Sequence, residues 1–536
     1  MTTELSKFSL IYPDAESQSA HYSGESRPNI DMFVLDELGL LEVFSLKNSN
    51  LDEFFTTDER VIKHRMDVFE DMLAFPEISV TLNKLIPILT DIMELRRLEA
   101  DTGETESYLE SITEIELYIS SIETLNSGLS PIKEQLGSEA LRTLAFRISE
   151  LADSDYYKEL NIKLSELTNR VRDIRSVTIG VNLDAQLRPS SAGVLSINPE
   201  PFRSGDVIEK ILRLNFKDDE YTCIANLVPF NKKQSENQRT ALALAFNSAI
   251  NDVYKQSLRS WKKIVQSYVL ENTDFLLNLM PEIEFLVKGT ALLRSLRDKG
   301  LYLCKPTIPQ SDERVFDATE LYNPCVALKV DYDIVTNDIQ MDADNAMIYV
   351  LTGPNRGGKS VITCAIGLSQ ALMQLGMFVP AKAATISIAD AIFTHFPTGA
   401  DDTIDKGRLG EECARLRDIF EAVTSKSLVL LDESLSSTGS FEASYIAAEV
   451  LAGLSRVGCR CLFSTHLHEL AAEIDNINAR TRADGGCAID TLVAGIAEGK
   501  RSFKIYRQKP DGKSYARDIA DKYGLSYENI VSRLVN

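Results

Sequence analysis

The sequence contains no unbroken apolar run of the roughly 18 residues that a membrane-spanning helix needs. Its opening residues, MTTELSKFSLIYPDAES, lack the charged-then-apolar pattern of a secretory signal. There is no C-x-x-C pair. Eight cysteines are scattered between Cys223 and Cys487 without regular spacing, which fits small buried hydrophobes in a reducing compartment. The five histidines form no H-E-x-x-H, and no G-x-S-x-G occurs, so metalloprotease and serine-hydrolase chemistry drop out. Internal repeats and low-complexity tracts are absent. Positive charge is also scarce: 57 Lys and Arg stand against 79 Asp and Glu, a net charge of −22. A chain that works only by coating nucleic acid is usually basic, so any such contact must come from a local basic face or an enclosed channel. What remains is the profile of a soluble intracellular protein with no membrane partner.

At 536 residues the chain is too long for one hydrophobic core, and two or three domains are expected. Two styles divide it. From about residue 31 to 300, apolar residues recur at three- and four-residue spacing, as in RVIKHRMDVFEDMLAF and LNKLIPILTDIMELRRL, which predicts helices. Residues 176–206 interrupt this with short β-rich runs between Pro, Gly and Ser turns, and are read as a small strand insertion. Further on, Lys255, Arg259, Lys262 and Lys263 share one helix face. That face is either a phosphate-tracking stripe or a solvated surface. After about residue 302, short apolar runs (AMIYVL, LVLLD, RCLFS) alternate with helical patterns. The alternation predicts an α/β domain with a mostly parallel sheet and a ligand site at the strand C-terminal ends.

The chemistry gathers at those ends. Gly353-x4-Gly358-Lys359-Ser360 follows the strand AMIYVL and precedes a helix, the arrangement of a phosphate-binding loop. Backbone N–H groups of such a loop turn inward around phosphates, and the following helix points its positive end at them. Lys359 is expected to neutralise terminal phosphates and the Ser360 hydroxyl to ligate Mg²⁺. Asp432, ending LVLLD, is expected to hold Mg²⁺ through its water shell, and Glu433 to polarise an attacking water. Just past a third strand, His466 is placed to reach a γ-phosphate.

In this order and spacing, TGPNRGGKS, LVLLDES with the following Ser-Thr, and FSTHLHEL resemble the ATPase domain of the MutS family, a branch of the ABC-type ATPases. IVTND (334–338) resembles the family stretch that lies against adenine. LYNP (321–324) resembles the opening of the family's ATPase domain, and KPDGKSYARDIADKYGLSYENIV (509–531) the segment that docks two such domains together. The likeness runs over 320–530 and, more loosely, over 30–300. It implies an α/β P-loop ATPase domain (ABC-type, mostly parallel sheet) at 302–536, preceded by a mainly α-helical core and lever domain at 31–301 and an N-terminal segment at 1–30.

The same resemblance implies ATP and Mg²⁺ as cofactors. Gly353, Pro354, Asn355, Arg356, Gly357, Gly358, Lys359, Ser360 and Val361 would contact nucleotide, Glu433, His466 and Lys359 would serve catalysis, and Ser360 and Asp432 the metal. It implies a homodimer through the ATPase domain that closes on duplex or branched DNA in mismatch repair or recombination, in a cytoplasmic or nucleoid-associated setting. A ribosome- or protein-complex-remodelling factor using the same ATPase is the alternative.

Several features depart from the family pattern. Only about thirty residues precede the lever core, without the Phe-x-Glu wedge, so direct mismatch reading is not expected; nor is a Smr-type nuclease extension. Gly407-Arg408-Leu409 stands where Ser-Thr-Phe is usual, leaving Arg408 as a substitute contact. Ser436, Ser437 and Thr438 replace a glycine-rich run. Arg356 occupies a position where the family more often carries methionine. Its side chain is expected to turn from the phosphates toward a dimer partner or Asp401-Asp402, or simply to lie exposed.

Overall fold

The computed structural model describes residues 8–44, 51–102, 108–172, 176–187, 189–198, 228–229, 273–310, 312–397, 408–436, 439–497, 500–509 and 523–534. By its internal contacts the chain forms two units, one of Met1–Ser9 with Phe75–Glu284 and one of Leu10–Ala74 with Phe285–Asn536.

The first unit is built on helices. Pro76–Thr102 begins with proline at its first position, where the missing N–H costs nothing. Ile78, Leu82, Leu85, Leu89 and Ile92 form its buried seam, facing Ile115, Tyr118, Ile122, Leu125 and Leu129 of the helix Tyr108–Leu129. The two helices approach closely at Gly128, where any Cβ would strike the Thr81 side chain at 1.9 Å. Arg96 bridges this layer, pairing with Glu114 at 2.7 Å and with Asp274. Helices Glu139–Asp153 and Asp155–Arg172 follow. The strands β1 (Ser176–Leu183) and β2 (Pro189–Asn198) then form an antiparallel hairpin inside the segment read as a strand insertion, with β3 (Val228–Pro229) beside β2. The basic stripe at Lys255–Lys263 lies outside the described residues.

In the second unit, residues 10–74 pack with the α/β part of the chain. The physical reason centres on Arg65, which helix α1 (Glu59–Ala74) buries completely. Its Nε donates to Ile11 O at 3.1 Å and Nη1 to Phe54 O, while the guanidinium lies 5.1 Å over Tyr12 and 5.9 Å over Phe285. Thr56 N donates to Gln374 O at 3.2 Å, and the Gln374 amide returns a bond to Thr56 O at 3.3 Å. An amphipathic pattern identifies a helix's buried face but not which core it enters.

The core of this unit is a six-stranded sheet in the order β12-β11-β6-β10-β9-β8. It comprises β6 (Ile348–Thr352), β8 (Ile392–His395), β9 (Leu428–Asp432), β10 (Arg460–Ser464), β11 (Ile489–Ala497) and β12 (Lys500–Arg507). All pairings are parallel except the β11–β12 edge hairpin. Every residue of β6, β9 and β10 is buried, as a central parallel strand covered on both faces requires. The helices α2 (Lys359–Gln374), α3 (Arg408–Ala422) and α4 (Ser440–Val457) connect the strands. A separate antiparallel sheet, β5-β4-β7, uses β4 (Phe316–Leu321), β5 (Asn337–Met341) and β7 (Ala383–Ile386). Helices with a mixed sheet agree with the α/β class expected for this part of the chain. Among the described residues no single helix is long and apolar enough to cross a membrane.

Candidate active site

Strand register decides which residues meet. Ser464 lies opposite both Leu351 and Asp432, and His395 opposite Leu431, so four parallel strands end level with one another. The chain leaving β6 becomes the loop at 353–358, the chain leaving β9 delivers Glu433, and the chain leaving β10 delivers Thr465 and His466. Thr465 N donates to Leu351 O at 2.9 Å and Glu433 N to Ser464 O at 2.8 Å, which locks these exits together.

Gly353 holds φ at 143°, and a Cβ there would lie 2.7 Å from the Ala494 Cβ. Gly358 holds φ at 92° and faces open space apart from Phe503, whose ring edge would be 3.5 Å from a Cβ. One glycine is required by a neighbour and by backbone, the other by backbone alone. Immediately after Gly358, helix α2 opens with Lys359, which is only 4% exposed. Its Nζ donates to Gly353 O at 3.2 Å, to Pro354 O at 3.4 Å and to His466 Nδ1 at 3.3 Å.

That last contact fixes a tautomer. An ammonium only donates, so His466 Nδ1 accepts and the ring proton sits on Nε2. Nε2 in turn donates to Glu433 Oε1 at 2.5 Å. Lysine, histidine and glutamate therefore form one chain across three strand ends. Burial holds Lys359 below the usual lysine value, opposed by the negative charges of Glu433 and then Asp432.

Asp432 is 5% exposed, and burial raises its carboxyl above the usual range. The nearby Ser360 and Ser464 hydroxyls pull the other way, Glu433 adds to the rise, and Lys359 lowers it. Its Oδ1 is buried without a hydrogen-bond partner, and Ser360 beside it is exposed. A carboxylate oxygen without a hydrogen-bond partner, beside a serine hydroxyl, is the kind of oxygen donor pair that a hard divalent cation takes, so these residues fit Mg²⁺. Among the described residues no group of three or more His, Cys, Asp and Glu side chains is placed to hold a metal.

A cavity of about 320 Å³ adjoins the loop. Arg356, Gly357, Gly358, Lys359, Ser360, Val361 and Glu433 line one side of it. Tyr322, Tyr332, Ile334, Val335 and Phe503 supply apolar walls. The segments 321–324 and 334–338, singled out in the sequence, thus reach the same cavity as the loop. Their asparagines are structural: Asn323 caps the helix Pro324–Lys329 and bonds Val361 O at 3.1 Å, and Asn337 bonds Phe503 O at 3.2 Å and Ile505 N at 2.7 Å.

Sequence reasoning missed Phe503 and Tyr332, because only the fold carries them to the loop. It also missed His395, whose Nδ1 lies 2.8 Å from Ser434 Oγ, while Ser434 donates to His395 O at 3.1 Å. Burial first, and then Arg415, push His395 down to about 4, so the ring is neutral at pH 7 and braces the residue after Glu433. Among the sequence-selected residues, Gly353, Lys359, Ser360, Asp432, Glu433 and His466 are brought together. Arg356 is exposed and lines the cavity, with φ at 57°. Asp401-Asp402, Gly407, Ser437, Thr438 and residues 510–522 lie outside the described residues.

Residues 349–508 match the model of MutS domain V, and residues 57–299 match that of the MutS2 N-terminal domain. The chain is similar to the DNA mismatch repair protein MutS of Brevibacillus brevis, 31% identical over 261 residues, which is 48% of this chain and 29% of that protein. Similarity to the protein of the same name from Roseiflexus sp. is 39% over 210 residues, covering 38% of this chain and 18% of the relative. For Prochlorococcus marinus strain AS9601 it is 40% over 172 residues, covering 31% and 19%. The chain thus spans less than a third of the length of these curated relatives. With two adjacent family domains in chain order and a loop, acidic pair and histidine assembled at one sheet edge, the chain belongs to the MutS family.

Proposed function

We propose that the chain is a Mg²⁺-dependent ATPase whose nucleotide cycle drives a dimeric, ABC-type clamp on duplex or branched DNA, in mismatch repair or recombination. The observation that carries the reading is a cavity lined by Lys359, Ser360 and Glu433, with an apolar wall at Tyr332, Ile334, Val335 and Phe503, and with His466 hydrogen-bonded to both Lys359 and Glu433. In this reading the loop amides and Lys359 bind the phosphates and the apolar wall receives adenine. Ser360 and Asp432 hold Mg²⁺, which when bound neutralises charge developing on the phosphates. Glu433 accepts a proton from the attacking water. Its side chain is already oriented by His466 Nε2–H. His466, hydrogen-bonded to both Lys359 and Glu433, links phosphate binding to the base, so nucleotide entry rearranges both contacts. Residues 75–284 act as the lever and core part, and the partner copy of the ATPase domain completes the site.

ATP turnover measured with homoduplex, mismatched, branched and single-stranded DNA, and with RNA, tests the reading. Stimulation by duplex or branched DNA that fades as salt rises supports it. A rate indifferent to every nucleic acid overturns the DNA arm. The net charge of −22 favours the second reading, a factor that remodels a ribosome or protein complex. In that case a Glu433→Gln variant held with ATP co-purifies with such particles and not with DNA.

A further inference from the structure

Arg356 has no structural employment. Its backbone is left-handed, with φ at 57°, a conformation that disfavours any side chain relative to glycine. It is exposed and makes no hydrogen bond or ion pair with any described residue. Yet it lines the cavity, with Tyr332, Asp333 and Phe503 on one hand and Lys359 on the other.

The charges around that cavity are uneven. Lys359 is committed: its ammonium bonds two loop carbonyls and His466 and is matched by the fields of Glu433 and Asp432. Among the described residues lining the cavity, the uncommitted cation is Arg356. Asp333 sits on the same cavity and repels phosphate from the apolar wall, which leaves the loop side for the anionic end of a ligand. A guanidinium without a carboxylate partner presents a planar fork of donors suited to paired phosphate oxygens, which methionine in the same place could not offer.

We infer that Arg356 closes on the phosphate chain of the bound nucleotide as a second cation beside Lys359, and so selects tri- and diphosphates over the nucleoside. The inference rests on the nucleotide-site reading above. It also explains why a side chain is kept in a backbone conformation that glycine would adopt freely.

Equilibrium affinities of ATP, ADP and adenosine for the wild-type chain and for Arg356→Met and Arg356→Gly variants provide the test. Arg356→Met is expected to weaken ATP and ADP about tenfold, leave adenosine unchanged and flatten the salt dependence of ATP binding. Arg356→Gly is expected to show the same loss while melting no lower than wild type, because it relieves the left-handed strain; the loss then does not come from unfolding. Wild-type affinity for all three ligands in Arg356→Met would overturn the inference. So would equal weakening of adenosine, which would put the guanidinium against the base. A wild-type chain that binds none of the three would overturn the nucleotide-site reading itself, and this inference with it.

Discussion

Replacing Glu433 by glutamine separates binding from chemistry. The change is isosteric, and the amide oxygen can still accept from His466 Nε2–H at the 2.5 Å contact, so the side chain keeps its place. Lys359 keeps its three bonds, to Gly353 O, Pro354 O and His466 Nδ1, and the loop backbone is untouched. Nucleotide affinity should therefore stay within about threefold of wild type, a change of roughly 0.7 kcal/mol or less. Proton acceptance is lost. A positioned general base is worth on the order of 10²–10⁴ in rate, or about 3–5 kcal/mol of barrier. Single-turnover hydrolysis of prebound ATP, read beside the Kd for a fluorescent ATP analogue, measures the two quantities on one sample. A hydrolysis rate reduced less than about fivefold would refute the assignment of Glu433 as base. A collapse of affinity would instead show that its contact with His466 holds the binding site together.

Gly353→Ala adds a Cβ 2.7 Å from the Ala494 Cβ at a φ of 143°, and should cost about 2–5 kcal/mol in a denaturant titration. Gly358→Ala, strained at a φ of 92° but with no contact nearer than 3.5 Å, should cost only about 1–2 kcal/mol; equal losses would contradict the packing at Ala494. Asp432 carries a carboxyl raised by burial, so its contribution to stability is present below the unfolded value of 3.8 and is lost as pH rises through the folded value. Asp432→Asn removes that penalty: above the folded value the variant should melt no lower than wild type, while Mg²⁺ no longer strengthens ATP binding in calorimetry. Arg65→Met removes the guanidinium donors to the Ile11 and Phe54 carbonyls and should lower the stability of the α/β unit by about 3 kcal/mol, read as the Tm of the full chain.

Much of the site was legible because its chemistry is local in sequence. The loop 353–360 and the pair Asp432-Glu433 each stand at the end of a short run of wholly buried strand residues, and such runs announce themselves as AMIYVL and LVLLD. His466 was legible for the same reason, by its place after β10. What escaped depends on residues brought from far along the chain. Phe503 reaches the loop because β12 pairs antiparallel with β11 and closes the sheet edge beside β6, a consequence of strand order that no local pattern encodes. The edge strand β8 is four residues long, too short for a periodicity signal, so the contact of His395 with Ser434 went unseen. That residues 10–74 pack against the α/β core was not legible, because α1 reads as an ordinary amphipathic helix; its packing is set by Arg65 and by the pairing of Thr56 with Gln374. Leu38, which would meet a Cβ on Gly367 at 2.5 Å, makes the same point from the other side.

Mg²⁺-dependent ATP hydrolysis by the wild-type chain, measured beside Lys359→Ala under the same conditions, tests the proposed ATPase at its core. Phosphate release by the wild type should stop on chelation of Mg²⁺ and fall at least about 100-fold in the variant. Equal release by both proteins, or none by the wild type at saturating ATP, would contradict the proposal.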